Sequence, residues 1–223
     1  MNKLYSLFLL LFVSAFALGQ SCCFVTKDDM QLMASNKAFQ RSHKLPRPYH
    51  HVSKVGGEMI TFSTPDGQSA NAYYIKAAKP SQYTLFVFQE WWGLNDHIKR
   101  EAEHFYSDLG NVNVLAIDMY DGKVATTREE AGKYMGGANP LRLENIIKGA
   151  LAYAGPQAKI ATVGWCFGGG LSLKASILAG SQASACVMYY GMPVKDVDQL
   201  KTLNTDVLGL FAGREKFISP AIV

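Results

Sequence analysis

The sequence predicts an α/β fold with a mostly parallel sheet, and three observations carry that reading. Apolar runs of strand length recur from about residue 58 onward and alternate with amphipathic helical segments. Most of those runs are apolar throughout, as strands covered on both faces require. Helix-capping residues and glycines fall at the boundaries between the segments.

Taken in order, Glu58–Phe62 and Ala70–Ile75 are β-rich runs separated by Thr64-Pro65-Asp66-Gly67, which predicts a hairpin. Tyr83–Phe88 reads as a buried strand. A helix follows, capped by Asn95 or Asp96 and ended by Gly110, with Ile98, Ala102, Phe105, Tyr106 and Leu109 on one face. Val112–Ile117 is the next strand, and Thr126–Met135 a short helix. Asn139-Pro140 opens another helix, whose Leu143, Ile146, Ile147, Ala150 and Leu151 form an apolar stripe ending near Gly155. Lys159–Val163 is a strand, followed by a glycine cluster and a helix of small residues reaching about Ala179. Ala185–Tyr190 and Asp206–Ala212 complete the strands.

The part before residue 55 differs in character. Residues 1–19 have the pattern of a secretory signal: Lys3, then an apolar core over Leu4–Leu18, then Ala17-Leu18-Gly19 as small residues for cleavage. Cys22 and Cys23 follow, but Gly19-Gln20-Ser21 lacks the aliphatic residue of a lipidation box, so the expectation is a periplasmic or secreted protein rather than a lipoprotein. Residues 20–54 form an extension with a short helix over Met30–Gln40 and a solvated basic segment containing His43, His50 and His51. Residues 55–223 form a single domain.

Composition excludes several classes. With 48% hydrophobic and 18% charged residues among 223, the chain is neither disordered, collagen-like nor a coiled coil. Four cysteines are too few for a disulfide scaffold. A net charge of +4 is too small to argue for nucleic-acid binding. No stable membrane insertion is expected once the leader is removed. No metal-ligand cluster, nucleotide loop or cofactor motif occurs, so the partner expected is a small molecule, bound by a monomer.

In parallel sheets ligands bind beyond the carboxyl ends of the strands. Three segments stand there. Gly164-Trp165-Cys166-Phe167-Gly168-Gly169-Gly170 lies between a strand and a helix, the setting of a nucleophile elbow. The glycines leave room for a tight turn, and the helix N-terminus lowers a thiol pKa and offers the Phe167 amide to an oxyanion. Gln89-Glu90-Trp91-Trp92-Gly93 puts a carboxylate directly after a buried strand, where it is costly unless paired or used. Glu215, in Gly213-Arg214-Glu215-Lys216, follows the last strand in the chain order nucleophile then acid. Trp91, Trp92, Trp165, Phe167 and Tyr190 suggest an apolar pocket for a planar or cyclic substrate.

Glu90-Trp91-Trp92-Gly93-Leu94-Asn95, Asp118-Met119-Tyr120, Gly164-Trp165-Cys166-Phe167-Gly168-Gly169, Tyr189-Tyr190-Gly191 and Gly213-Arg214-Glu215 together resemble the dienelactone hydrolase family (carboxymethylenebutenolidases). The resemblance covers about residue 55 to the end. It implies an α/β-hydrolase fold and hydrolysis of a lactone or carboxylic ester without a cofactor. Cys166 would be the nucleophile, Glu90 the carboxylate that helps release its thiolate, and Glu215 the triad acid. The backbone N–H groups of Phe167 and Trp91 would form the oxyanion hole. Arg128 is the best match to the arginine that binds a substrate carboxylate, with Trp92 and Trp165 as further substrate-binding residues.

Two departures stand out. The family usually has Asp where Glu215 stands, and its catalytic histidine lies beyond the acid, whereas no histidine follows Glu215 here. His97, at the start of the helix after Glu90, would need a different geometry to serve as base. The expectation is a chain whose parent carries the histidine with a final strand and helix, and which is inactive as it stands. The contrasting expectation is a degenerate binding protein of the same fold. A thiol redox role would need a second thiol beside Cys166, and there is no C-x-x-C; Cys186 reads as a buried small hydrophobe.

Overall fold

The structure is a computed structural model that describes residues 32–214 and 217–223. The expected signal, Cys22, Cys23 and Glu215 lie outside the described residues. Among those residues a seven-stranded sheet runs in the order β1-β2-β4-β3-β5-β6-β7. The strands are β1 (Glu58–Ser63), β2 (Ser69–Ile75), β3 (Tyr83–Phe88), β4 (Asn113–Ile117), β5 (Lys159–Trp165), β6 (Ala183–Tyr189) and β7 (Val207–Leu210). Strands β1 and β2 pair antiparallel, as do β2 and β4, and every later pairing is parallel. This is the α/β architecture the sequence predicts.

The hairpin turn is closed by Gly67 N–H donating to Thr64 O at 3.0 Å. Asn95, rather than Asp96, caps α2 (Asp96–Leu109), its Oδ1 accepting from the His97 and Ile98 amides. Thr127 and Glu130 form a capping box on α3 (Arg128–Gly136). Asn139 caps α4 (Pro140–Ala154), which has Pro in its first turn. Helix α5 (Phe167–Ala179) follows β5, and a single turn, α6 (Val197–Leu200), precedes β7.

The sheet is covered on both faces. Ile98 and Ala102 of α2 pack with Ile75, Leu85, Val87 and Val114 on one side. Ala131 and Met135 of α3, Ile146 and Ile147 of α4, and Leu171 and Ala175 of α5 pack with Phe86, Phe88 and Ile160 on the other. Small residues let α5 lie close on β5, where Ser172 donates to Thr162 Oγ1 at 2.8 Å in a buried polar seam. Cys186 is buried beside that seam, its Sγ 3.7 Å from Ser172 Oγ.

Several expectations change. Residues 32–35 are helical but break at Asn36, whose side chain caps a new helix, α1 (Lys37–Ser42). Leu109 is exposed, because α2 runs past the edge of its apolar partners. Strand β5 extends two residues into the glycine cluster, to Trp165. Strand β7 is short and exposed along its length, with Leu208 58% accessible, and pairs only with β6 among the described residues.

The basic segment around residues 43–51 is not simply solvated. His51 is buried, with Nε2 3.2 Å from Glu103 Oε1 and 3.1 Å from the Tyr73 hydroxyl. The Tyr73 hydroxyl donates to Glu103 at 2.7 Å, and the Lys54 amide donates to its other oxygen at 3.3 Å. Burial pushes the Glu103 carboxyl up, but hydrogen bonds from Ser53, Tyr73 and Lys54 outweigh it and hold the group below its ordinary range. Asp96 accepts from the His51 amide at 2.9 Å. These contacts fasten the extension to α2 and β2.

Glu103→Ala strands two buried partners, each costing about 1–3 kcal/mol. A loss of roughly 2–4 kcal/mol in urea unfolding at neutral pH is expected. Because Glu103 is depressed in the folded state, its contribution is present above the ordinary carboxylate range and fades as pH falls through the folded value. The difference between variant and parent therefore narrows in acid.

Candidate active site

Cys166 sits between β5 and α5 with φ 54° and ψ −117°, a left-handed conformation that costs a non-glycine residue about 1–3 kcal/mol. The turn is over-determined by its surroundings. The Cys166 amide donates to Tyr189 O and the Gly169 amide to Cys166 O, both at 3.0 Å. A methyl group at Gly164 would overlap the Gly168 carbonyl, and one at Gly168 would overlap the carbonyls of Phe88 and Gln89. Only glycine lets the turn approach β3 this closely. Cys166 is 8% accessible, and the Phe167 and Gly168 amides that open α5 have no intrahelical acceptor. That end of the helix dipole favours a thiolate and a developing oxyanion.

Sheet register brings the other groups to Cys166. Phe88, Gly164 and Met188 share one rung across β3, β5 and β6. Two residues beyond that rung stand Glu90, Cys166 and Tyr190. Tyr190 also has positive φ, 40°, and its amide donates to Leu210 O of β7 at 2.7 Å. Its hydroxyl donates to the Glu90 carboxylate. Burial, then the neighbouring Glu90 and Cys166, push the Tyr190 phenol up to about 12, so it stays protonated and remains a donor. Burial also pushes the Glu90 carboxyl up, against the opposing effects of His97 and the Tyr190 hydrogen bond. Glu90 plays no part in capping α2, since Asn95 does that.

Trp91 follows in a turn in which the Gly93 amide donates to Glu90 O at 3.3 Å. Its indole is fully buried, edge-on to Trp92 at 4.9 Å. Phe39 of the extension packs on Trp91 at 5.3 Å and His43 at 4.9 Å, so the extension supplies part of the rim. Arg128 stands at the start of α3, its Nε donating to His43 O at 2.6 Å. His97 Nε2 lies 2.7 Å from Arg47 O, a contact with the extension.

Trp165 is not beside Cys166. Period two along β5 puts it with Ala161 and Val163 on the α2 face, stacked against Tyr189 at 5.8 Å and Phe105 at 6.1 Å. The structure thus places the Trp165 side chain, partly buried, on the α2 face, apart from the Trp91, Tyr120 and Phe167 rings that share a cluster with Cys166.

Two tyrosines acquire definite places. Tyr190 holds Glu90, as described. Tyr120 is held by Asp118, whose carboxylate accepts from the Tyr120 amide at 3.0 Å and the Gly122 amide at 2.5 Å. Its ring packs on Phe167 at 5.3 Å and on Tyr134 at 5.9 Å. An aromatic residue just past a strand end, as in Asp118-Met119-Tyr120 and Tyr189-Tyr190-Gly191, is the sequence signal for both. Among the described residues no group of three or more His, Cys, Asp or Glu is arranged to hold a metal ion.

Residues 70–222 match the dienelactone hydrolase family. The chain belongs to that family, a family of hydrolases. It is similar to protein usf of Aquifex pyrophilus, 27% identical over 175 residues, which span 73% of this chain and 74% of that one. Among solved structures it resembles a dienelactone hydrolase-like promiscuous phosphotriesterase from metagenomic libraries, with a TM-score of 0.59 at 21% identity over 74% of this chain and 73% of that one. The structure of m3DLH matches with a TM-score of 0.61 at 21% identity, covering 74% and 72%. In this dienelactone hydrolase family member the tight turn between β5 and α5 carries Cys166, and no helix among the described residues is long and apolar enough to cross a membrane.

Glu90→Gln removes a carboxylate whose charged form is disfavoured by burial. A rise in Tm of about 2–4 °C at neutral pH is expected, what roughly 1 kcal/mol gives in a domain of this size. Because the folded Glu90 pKa is raised, the gain disappears as pH falls toward the ordinary carboxylate range. Calorimetry across pH reads both effects.

Proposed function

We propose that the protein is an exported hydrolase that cleaves a lactone or carboxylic ester through a Cys166 thioester. The observation that carries this reading is the strained elbow, which presents a thiol at a helix N-terminus two residues beyond the rung it shares with Glu90. Glu90, with its raised proton affinity, takes the Cys166 proton as substrate binds. The sulfur attacks the carbonyl carbon, and the oxyanion accepts hydrogen bonds from the Phe167 and Trp91 amides. When the oxyanion collapses, the carbon–oxygen bond to the leaving group breaks and that oxygen takes the proton from Glu90. Water then attacks the thioester, releasing the acid and restoring the thiol. Glu215 and the histidine implied by the resemblance serve this second half.

The signal-like pattern of residues 1–19 supports export. The aromatic enclosure of Trp91, Trp92, Tyr120 and Phe167 suits a small cyclic or planar acyl group. Arg128 is the candidate for a substrate carboxylate, with its Nε engaged by His43 O. The enzyme acts on small molecules, without cofactor or nucleic acid, as a monomer.

Exposure to p-nitrophenyl acetate should add one acetyl group to the peptide carrying Cys166, read by mass spectrometry, and Cys166→Ala should lose that adduct and, in a version extended to carry the histidine, ester turnover as well. Undiminished turnover in Cys166→Ala would overturn the reading. Binding of esters or lactones with no adduct would favour a non-catalytic module.

A further inference from the structure

Two tyrosines stand near the elbow, Tyr190 two residues past the rung shared by β5 and β6 and Tyr120 in the buried cluster that holds Cys166 and Phe167, and their hydroxyls differ in one respect. That of Tyr190 is spent on Glu90. That of Tyr120 has no hydrogen-bond partner among the described residues, although the residue is only 5% accessible. Leaving a buried hydroxyl unpaired is costly, and native structures rarely do it without a reason. The position is not an accident of loose packing. Asp118 fixes the Tyr120 backbone through two amides, and the ring is wedged between Phe167 and Tyr134. Phe167 is the residue after the nucleophile, so the same packing that sets the elbow sets the Tyr120 ring.

The proposed chemistry adds a difficulty that such a donor answers. Ionising Cys166 puts a negative sulfur near the Glu90 carboxyl, in a site enclosed by aromatic rings. A neutral donor relieves that charge without bringing in water. We propose that the Tyr120 hydroxyl is the donor held for the ionised sulfur of Cys166, and that it acts as a positioning residue for the nucleophile. Burial first, and then the nearby Cys166, push the Tyr120 phenol well above its ordinary range, which favours the protonated form that can donate. Tyr190 cannot take this part while it holds Glu90. The inference rests on the reading of Cys166 as nucleophile, but it concerns the ionisation of the thiol and can be measured without any substrate.

The experiment is the pH dependence of iodoacetamide alkylation at Cys166, followed on its own peptide so that Cys22, Cys23 and Cys186 do not contribute. Tyr120→Phe removes the hydroxyl and keeps the ring. Its thermal midpoint should be unchanged or higher, since the hydroxyl has no partner to lose. Alkylation at a pH below both ionisations should slow by about tenfold, with the profile displaced to higher pH, the scale of a hydrogen bond to a charged group. If Tyr120→Phe does not fold, Tyr120→Met fills similar space without a donor and takes the same test. A profile identical to that of the parent overturns the inference. The two readings fail separately. Lost turnover in Cys166→Ala with an unmoved profile in Tyr120→Phe rejects only the tyrosine role. A displaced profile with full turnover in Cys166→Ala rejects only the hydrolase mechanism.

Discussion

The left-handed turn at Cys166 is the constraint on which the rest of the site depends. A side chain is held there because the backbones of β3 and β6 approach from either side and leave no alternative. The Cys166 amide is committed to Tyr189 O, while Gly164 and Gly168 remove the atoms that would push β3 away. The strain is small beside the burial of the surrounding aromatic core, which is why the fold can sustain it. In return the thiol lies at a helix N-terminus with restricted motion.

Packing and electrostatics are coupled at this point. The layer that makes the elbow rigid, built from Phe88, Trp91, Tyr120 and Phe167, also buries the Tyr120 phenol and shields one side of Glu90. Desolvation raises the proton affinity of Glu90 and keeps Tyr190 protonated, so a carboxyl and a neutral phenol coexist beside Cys166. The N-terminal extension completes the rim by tertiary contacts. Phe39 and His43 reach Trp91 because His51 is anchored to Glu103 some distance away.

Much of this is legible in the sequence. Continuous apolar runs and capping residues suffice for the strand and helix alternation, and Gly164–Gly170 after a strand suffices for the elbow. Trp165 misleads because the glycines appear to end the strand at Val163, whereas pairing with β3 and β6 carries it two residues further and turns the indole to the α2 face. Tyr190 reads as a strand residue, because nothing local announces a positive φ imposed by hydrogen bonding to β7. The extension is illegible for a similar reason. A histidine buried by a glutamate 52 residues away leaves no periodic trace.

The short strand β7 has a significance beyond its length. Leu210 O holds the Tyr190 amide, Tyr190 holds Glu90, and Glu90 stands level with Cys166 two residues past a shared rung of the sheet. A strand this exposed belongs to the part of the molecule that opens at the lowest free energy, ahead of the central sheet. Native-state fluctuations at this margin are therefore transmitted to the Glu90 carboxylate through only two hydrogen bonds. The corner that gathers Glu90, Cys166 and Tyr190 hangs on an exposed strand, and local breathing there sets how long that arrangement stays assembled.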